Sequence, residues 1–140
     1  VKKFHDSDIA ILAGMIFGFD TDDGSVFEKT LDMAVKTAID GISFSILTPY
    51  PGTPLFKRLE AEGRILHRDW SKYNSEHVVF APTKMSVDEL QAGHDWANRK
   101  FYSIPSIFKR LSRSRTQLGL TVKLNFADRK YSYNRFKSAI

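Results

Sequence analysis

The sequence predicts an α/β fold organised around one βαβ unit, and three observations carry that prediction. Two apolar segments, Ile9–Phe19 and Ile42–Leu47, are strand-like in composition and bounded by turn residues. Between them Phe27, Leu31, Ala34, Val35 and Ala38 recur at spacings of three and four, which makes one apolar stripe on a helix. Strands this continuously apolar are expected where both faces of a parallel sheet are covered.

Taken in order, Val1–His5 reads as the last turn of a helix, and Asp6-Ser7-Asp8 as the turn into the first strand. After Phe19 the cluster Asp20-Thr21-Asp22-Asp23-Gly24-Ser25 marks a loop and a helix start. Asp22, Asp23 or Ser25 is the N-cap there, and Ser25 with Glu28 suits a capping box. Asp40-Gly41 ends the crossover helix, with Gly41 suited to a left-handed cap. In the second strand Ser43 and Ser45 alternate with Ile42, Phe44 and Ile46. Thr53 then caps a short helix opened by Pro54 and closed by Gly63. Residues 64–82 keep no sustained period but contain Trp70, Tyr73 and the strand-like His77-Val78-Val79-Phe80, an ordered excursion around the outside of the βαβ unit. Ser86 and Glu89 form a second capping box. The helix behind it carries the stripe Leu90, His94, Ala97, Phe101 and runs to about Tyr102. Pro105 interrupts it, and Ile104, Ile107, Phe108 and Leu111 mark another short helix. A last one, with Leu118, Val122 and Phe126 beside Leu120, Leu124 and Ala127, follows the Ser112–Thr116 linker.

Composition excludes several classes. At 140 residues, 42% apolar and 13% aromatic, the chain can bury one domain's core. There is no run long enough to cross a membrane and no signal-peptide pattern at Val-Lys-Lys-Phe-His, so a cytoplasmic protein is the expectation. No cysteine is present, which removes disulfides, thiolate metal sites and thiol nucleophiles. The start without methionine suggests a piece of something longer. The net charge of +5 is uneven: residues 99–140 hold eleven of the 21 Lys/Arg and one of the 16 Asp/Glu, so this tail alone makes the chain basic.

In parallel α/β folds chemistry sits on the loops that follow the strands' carboxyl ends. Here those loops offer Gly18, Phe19, Asp20, Thr21, Asp22 and Asp23, and then Thr48, Tyr50 and Gly52. Gly14 and Gly18, four apart in a strand, share one face. They either admit a close backbone or flat ring, or relieve crowding under a neighbouring helix. The aspartates after Phe19 match no calcium loop and read as caps favoured at the positive end of a helix dipole. His5, His67, His77 and His94 stand singly, without a metal-ligand partner at helical spacing. His77, beside Trp70 and Tyr73, reads as a packing or hydrogen-bonding residue. The basic tail interleaves Phe101, Tyr102, Phe108, Phe126, Tyr131, Tyr133 and Phe136 with its cations. It reads first as a solvated helix face whose rings pack inward, and second as a stacking and phosphate surface.

The run Gly14-Met15-Ile16-Phe17-Gly18-Phe19-Asp20, then Leu47-Thr48-Pro49-Tyr50-Pro51-Gly52-Thr53-Pro54-Leu55, then Arg68-Asp69-Trp70 and His77-Val78-Val79-Phe80, resembles the C-terminal part of radical S-adenosylmethionine proteins. The likeness is above all to the class with an N-terminal cobalamin-binding domain and a C-terminal extension. It covers residues 1–111, and the order of its motifs makes it specific. It implies the last βα units of a partial (β/α)6 barrel over residues 1–63, with Ile9–Phe19 as fifth strand and Ile42–Leu47 as sixth. A mainly helical extension with the basic tail would follow over 64–140. The family's fifth-strand pattern G-x-I-x-G-x-x-E, which lies against the cofactor's adenine, falls on Gly14, Ile16 and Gly18. Thr21 stands in place of the glutamate, with Asp20 one residue early. Main chain at Leu47 and Thr48 would border the adenine from the other side, and Asp20 and Tyr50 would form the rim toward cofactor or substrate.

The resemblance also implies S-adenosylmethionine and a [4Fe-4S] cluster in the parent, with cobalamin as a further cofactor of the class. The cluster is held by C-x-x-x-C-x-x-C, and a chain without cysteine cannot hold it, so no catalytic or metal-ligating residue is assigned. The expectation is a piece of an enzyme that modifies an unreactive carbon. Its partners would be the rest of the barrel, the cobalamin-binding domain and a small-molecule substrate. By itself the piece should be marginally stable or self-associate, because two strands leave edges uncovered. The rival expectation is a non-catalytic α/β module that binds a nucleic acid or membrane surface through 99–140.

Overall fold

A computed structural model describes residues 1–114 and 116–137, with the backbone alone for 135–137. In chain order the elements are α1 (Lys2–His5), β1 (Leu12–Phe17), α2 (Val26–Lys36), β2 (Gly41–Ile46), α3 (Pro54–Ala61), a 3-10 turn at Trp70–Lys72, α4 (Val87–Phe101), α5 (Ile104–Leu111) and α6 (Leu118–Lys137). The two strands pair with each other. Gly41 N–H donates to Ile11 O at 3.2 Å and Leu47 N–H to Phe17 O at 2.8 Å, so both strands advance together and the pair is parallel. The α/β class and its βαβ unit are therefore present. Arg115, residues 138–140 and the side chain of Phe136, counted above in the basic tail, lie outside the described residues.

The strands are shorter than the apolar segments suggest, for local reasons. Ile9 N–H turns back to Phe4 O at 2.9 Å, so the first residues of that segment close α1 rather than pair. Gly18 takes φ +102°, which ends β1. Helix α2 starts on Asp23, whose carboxylate accepts from Ser25 N–H at 2.9 Å, and the Ser25–Glu28 box does not form. It ends with Ala38 at φ +55°, Ile39 N–H reaching Ala34 O at 3.2 Å and Ala38 N–H reaching Val35 O at 3.4 Å. Ala38 is thus the left-handed cap expected of Gly41. Gly41 has a different reason: a Cβ there would stand 2.6 Å from Leu12 Cδ2. The other two caps form as read. Thr53 Oγ1 accepts from Phe56 N–H at 3.2 Å; Ser86 Oγ accepts from Glu89 N–H at 3.1 Å while Ser86 N–H donates to Glu89 at 2.6 Å.

Two compact units alternate along the chain, Val1–Met15, Glu28–Ser43 and Trp96–Ile140 in the first, Ile16–Phe27 and Phe44–Asp95 in the second. The first unit's core holds Ala34, Ile39, Ile42, Ala97, Phe101 and Ile107, all buried. Arg110 lies among them at 1% exposure. Its Nη1 donates to Ile39 O at 3.0 Å and Asp40 O at 3.1 Å, and its Nη2 to Phe101 O at 3.2 Å and Asn125 Oδ1 at 2.6 Å. The guanidinium also stacks 3.7 Å from the Phe101 ring centroid. Burial pushes it down to about 10, still far above neutral, so it stays a cation. The buried Asp40 carboxylate accepts from His5 at 2.8 Å, Ile11 N–H at 2.8 Å and Ser114 at 3.1 Å. Several partners thus meet each of these buried ions, which offsets much of the penalty of an unpaired charge, although Arg110 Nε is buried without a hydrogen-bond partner among the described residues.

The second unit packs Phe17 edge-on to Phe27 at 4.8 Å and stacked with Phe44 at 5.7 Å. The excursion is ordered, as read. Leu66 N–H pairs with Val79 O and Ala81 N–H with Arg64 O around an antiparallel bridge between Ile65 and Phe80. Ser75 O accepts from Ile46 N–H at 2.7 Å, so the excursion lines β2 opposite its β1 bond. His77 bonds Asn74 at 2.9 Å; the imidazole packed near Tyr73 is His67, at 6.2 Å between centroids.

Candidate functional site: the loops at the strand ends

Six of the seven site residues read from sequence, Ile16, Gly18, Asp20, Leu47, Thr48 and Tyr50, fall in the second unit; Gly14 falls in the first. Along β1, Leu12, Gly14 and Ile16 are exposed while Phe17 is buried. A Cβ at Gly14 would meet nothing within 4 Å, and Ile16 is 49% exposed. This face of β1 is thus open, in contrast to the two-sided cover expected of the strand.

Gly18 is different. Its N–H and that of Phe19 both donate to the Asp22 carboxylate, at 3.0 and 3.1 Å, which folds the loop back over its own start. A Cβ at Gly18 would lie 3.0 Å from Leu90 and 3.2 Å from Phe80. Both reasons weighed for glycine on this strand therefore occur, open space at Gly14 and tight packing at Gly18. On the second loop Leu47 N–H closes the β1–β2 pair, the buried Thr48 donates to Ile46 O at 3.0 Å, and Tyr50 O accepts from Thr53 N–H and Oγ1 at 3.1 and 2.6 Å. The Tyr50 ring is 47% exposed, its hydroxyl 3.2 Å from Ser75 Oγ.

Asp20 is fully engaged. Its carboxylate accepts from Arg58 at 2.6 Å, Arg64 at 2.8 Å and Thr83 at 2.9 Å. These donors, Arg58 first, hold its carboxyl well below the usual carboxylate range. It ties the β1 loop to α3, Arg64 and Thr83, and both of its carboxylate oxygens are engaged as acceptors. Sequence reasoning placed Asp20 but missed Arg58, Arg64 and Thr83. No local pattern joins residues this far apart, although the departure from the glutamate pattern at Thr21 marked the position as different. His94, buried on α4, donates or accepts at Phe44 O at 3.2 Å and at Asp95 at 2.9 Å, which accounts for both ring nitrogens. Among the described residues no three His, Asp or Glu side chains come together as a metal needs. What the strand end and its loops offer is the exposed apolar side chain of Ile16 and main chain.

A family model described as a domain of unknown function (DUF4070) matches residues 53–137. The chain belongs to this family. Its DUF4070 region covers α3 to α6. The bacteriochlorophyllide d C-12(1)-methyltransferase of Chlorobaculum tepidum is 38% identical over 111 residues, 79% of this chain and 24% of that protein. The anaerobic magnesium-protoporphyrin IX monomethyl ester cyclase of Cereibacter sphaeroides is 31% identical over 77% of this chain and 17% of its own length. The hopanoid C-2 methylase of Rhodopseudomonas palustris is 29% identical over 56% of this chain and 15% of its own length. The chain thus spans at most about a quarter of these relatives. They bear out the resemblance to radical S-adenosylmethionine proteins. Among the described residues no helix is long and apolar enough to cross a membrane.

Proposed function

We propose that this chain supplies the adenine-side wall of an S-adenosylmethionine site in a larger radical enzyme, with β1 and β2 as the fifth and sixth strands of a partial (β/α)6 barrel. The parent would transfer a methyl group or close a ring at an unactivated carbon, in line with the names of its relatives. The open β1 face carries the reading: Gly14 has free space above it and Ile16 presents an exposed apolar side chain, as a flat ring would need. Ile16 would pack against the adenine, the main chain of Gly14, Gly18, Leu47 and Thr48 would border it, and Tyr50 would stand at the rim. Asp20 would act by fixing the loop, since both carboxylate oxygens are already bonded. When bound, S-adenosylmethionine supplies the radical by reductive cleavage at a [4Fe-4S] cluster. This chain's donor set does not fit the cluster, which needs thiolates, so its ligands belong to the remainder of the parent barrel. Cobalamin, on an N-terminal domain of the parent, would be the methyl carrier.

The test uses the polypeptide that contains this chain together with the cluster-binding part. Ile16→Glu is expected to weaken S-adenosylmethionine binding by about tenfold or more, because a carboxylate would be desolvated against the ring. Cluster absorbance should stay unchanged. Unaltered affinity with an intact cluster would refute the placement.

A further inference from the structure

Arg64 is fixed at both ends before it reaches the loop after β1. Its main chain comes first: Arg64 N–H donates to Leu59 O at 2.8 Å, and Arg64 O accepts from Ala81 N–H at 2.8 Å beside the Ile65–Phe80 bridge. The side chain then returns to the same partner, Nε donating to Ala81 O at 2.8 Å, so two bonds join Arg64 to Ala81. Nη1 donates to Glu62 at 2.8 Å and Nη2 to Asp20 Oδ1 at 2.8 Å, and the side chain is only 18% exposed. A planar guanidinium with all three nitrogens bonded has one orientation available, and Asp20 receives it.

Asp20 stands two residues beyond Gly18, whose φ of +102° ends β1. A Cβ at Gly18 would lie 3.2 Å from Phe80 Cζ, and the Arg64 guanidinium lies 5.9 Å from the centroid of that same buried ring. Arg64 thus supports the loop by two routes, through the Asp20 carboxylate and through Phe80. Asp22 folds the loop only on itself, at the N–H groups of Gly18 and Phe19, whereas the Asp20 bond reaches 44 positions along the chain.

We infer that Arg64 is a positioning residue for the cofactor: by holding Asp20 it keeps Gly18 and the loop after β1 in the one arrangement that borders the adenine, without touching the ring itself. This rests on the placement of that ring against β1 proposed above. Arg64 acts through preorganisation, since a loop in the binding arrangement for only about a tenth of the time binds about tenfold more weakly, whatever contacts it makes once bound. A guanidinium that only added stability would move the unfolding midpoint and leave the affinity of the folded protein alone.

The test uses the polypeptide that contains this chain together with the cluster-binding part, well below its melting temperature. Hydrogen exchange of the amides over 18–22 reports the loop, the dissociation constant for S-adenosylmethionine reports the site, and cluster absorbance checks the iron centre. Arg64→Met should speed exchange over 18–22 and weaken binding about tenfold with the cluster intact. Arg64→Lys, which keeps the charge without the planar fork, should show the same changes to a lesser degree and serves where the methionine variant does not fold. Arg64→Met combined with Asp20→Asn should bind no more weakly than the poorer single variant, because both act at one contact. Unchanged loop exchange, faster exchange with unchanged affinity, or losses that multiply in the double variant would overturn the inference. Ile16→Glu separates the two readings: if it loses affinity while the Arg64 variants do not, only the role of Arg64 falls, and if it too binds as the unsubstituted protein does, the adenine placement falls with it.

Discussion

Replacing Arg110 by methionine removes four hydrogen bonds from a site that water does not reach. The fork joins the Ile39, Asp40 and Phe101 carbonyls to Asn125, at distances from 2.6 to 3.2 Å, and the residue is 1% exposed. Each bond from a charged donor contributes about 1.5–3 kcal/mol, set against several kcal/mol for desolvating the guanidinium. The downward push on its pKa is the sign of that desolvation. The carbonyl partners are main chain and survive any substitution, so methionine cannot convert the cluster into a plain apolar core. The expected net loss is about 3–5 kcal/mol, a large part of the stability of a domain this size. It should appear as a fall in melting temperature of roughly 10–15 °C and a lower urea midpoint at unchanged slope. Arg110→Lys keeps the charge but not the planar fork and should lose about half as much. A methionine variant within about 1 kcal/mol of the parent chain would refute the view that this cluster holds the first unit together.

Two further outcomes follow from the second unit. Gly93→Ala would place a Cβ 2.2 to 2.5 Å from three atoms of the Phe27 ring, which is only 6% exposed, so the ring must move; a loss of about 1–3 kcal/mol in urea unfolding is expected, and a neutral result would count against this packing. Asp20, with its folded-state pKa held below the unfolded 3.8, should stabilise the chain fully above that value and progressively less as pH falls through and below it. The urea midpoint of the parent chain minus that of Asp20→Asn should therefore shrink between about pH 5 and pH 2, and a flat difference would contradict the ion-pair cluster.

Much of the fold is legible in the residue order because it rests on interactions a few residues long. The Thr53 and Ser86 caps formed where hydroxyl, proline and glutamate spacing put them. The α4 stripe Leu90, His94, Ala97 and Phe101 is fully buried, as its period requires. Expectations failed where two local solutions compete at similar cost. Ala38 took the left-handed cap while Gly41 is held close against Leu12, and Asp23 displaced the Ser25 box by closing its own turn. On α6 the apolar stripe was correctly counted and its direction wrongly inferred, since burial there follows the polar partners of Arg110. Arg110 itself stands three residues after the buried Ile107, on the same side of α5, which is the one local sign that it points inward.

The sequence by itself determined the βαβ unit and the helix starts at Thr53 and Ser86, because backbone propensity and capping act within one element. It also determined that no thiolate could come from this chain. Only the tertiary structure decided which charges are spent inside. Asp20 meets Arg58, Arg64 and Thr83, Asn125 bridges Arg110 to the Asp40 carbonyl, and Ser114 bonds the Asp40 carboxylate, across separations of up to 85 residues. A buried ion is stable only where its partners converge in space, and that convergence belongs to the packing of elements rather than to any stretch of the chain.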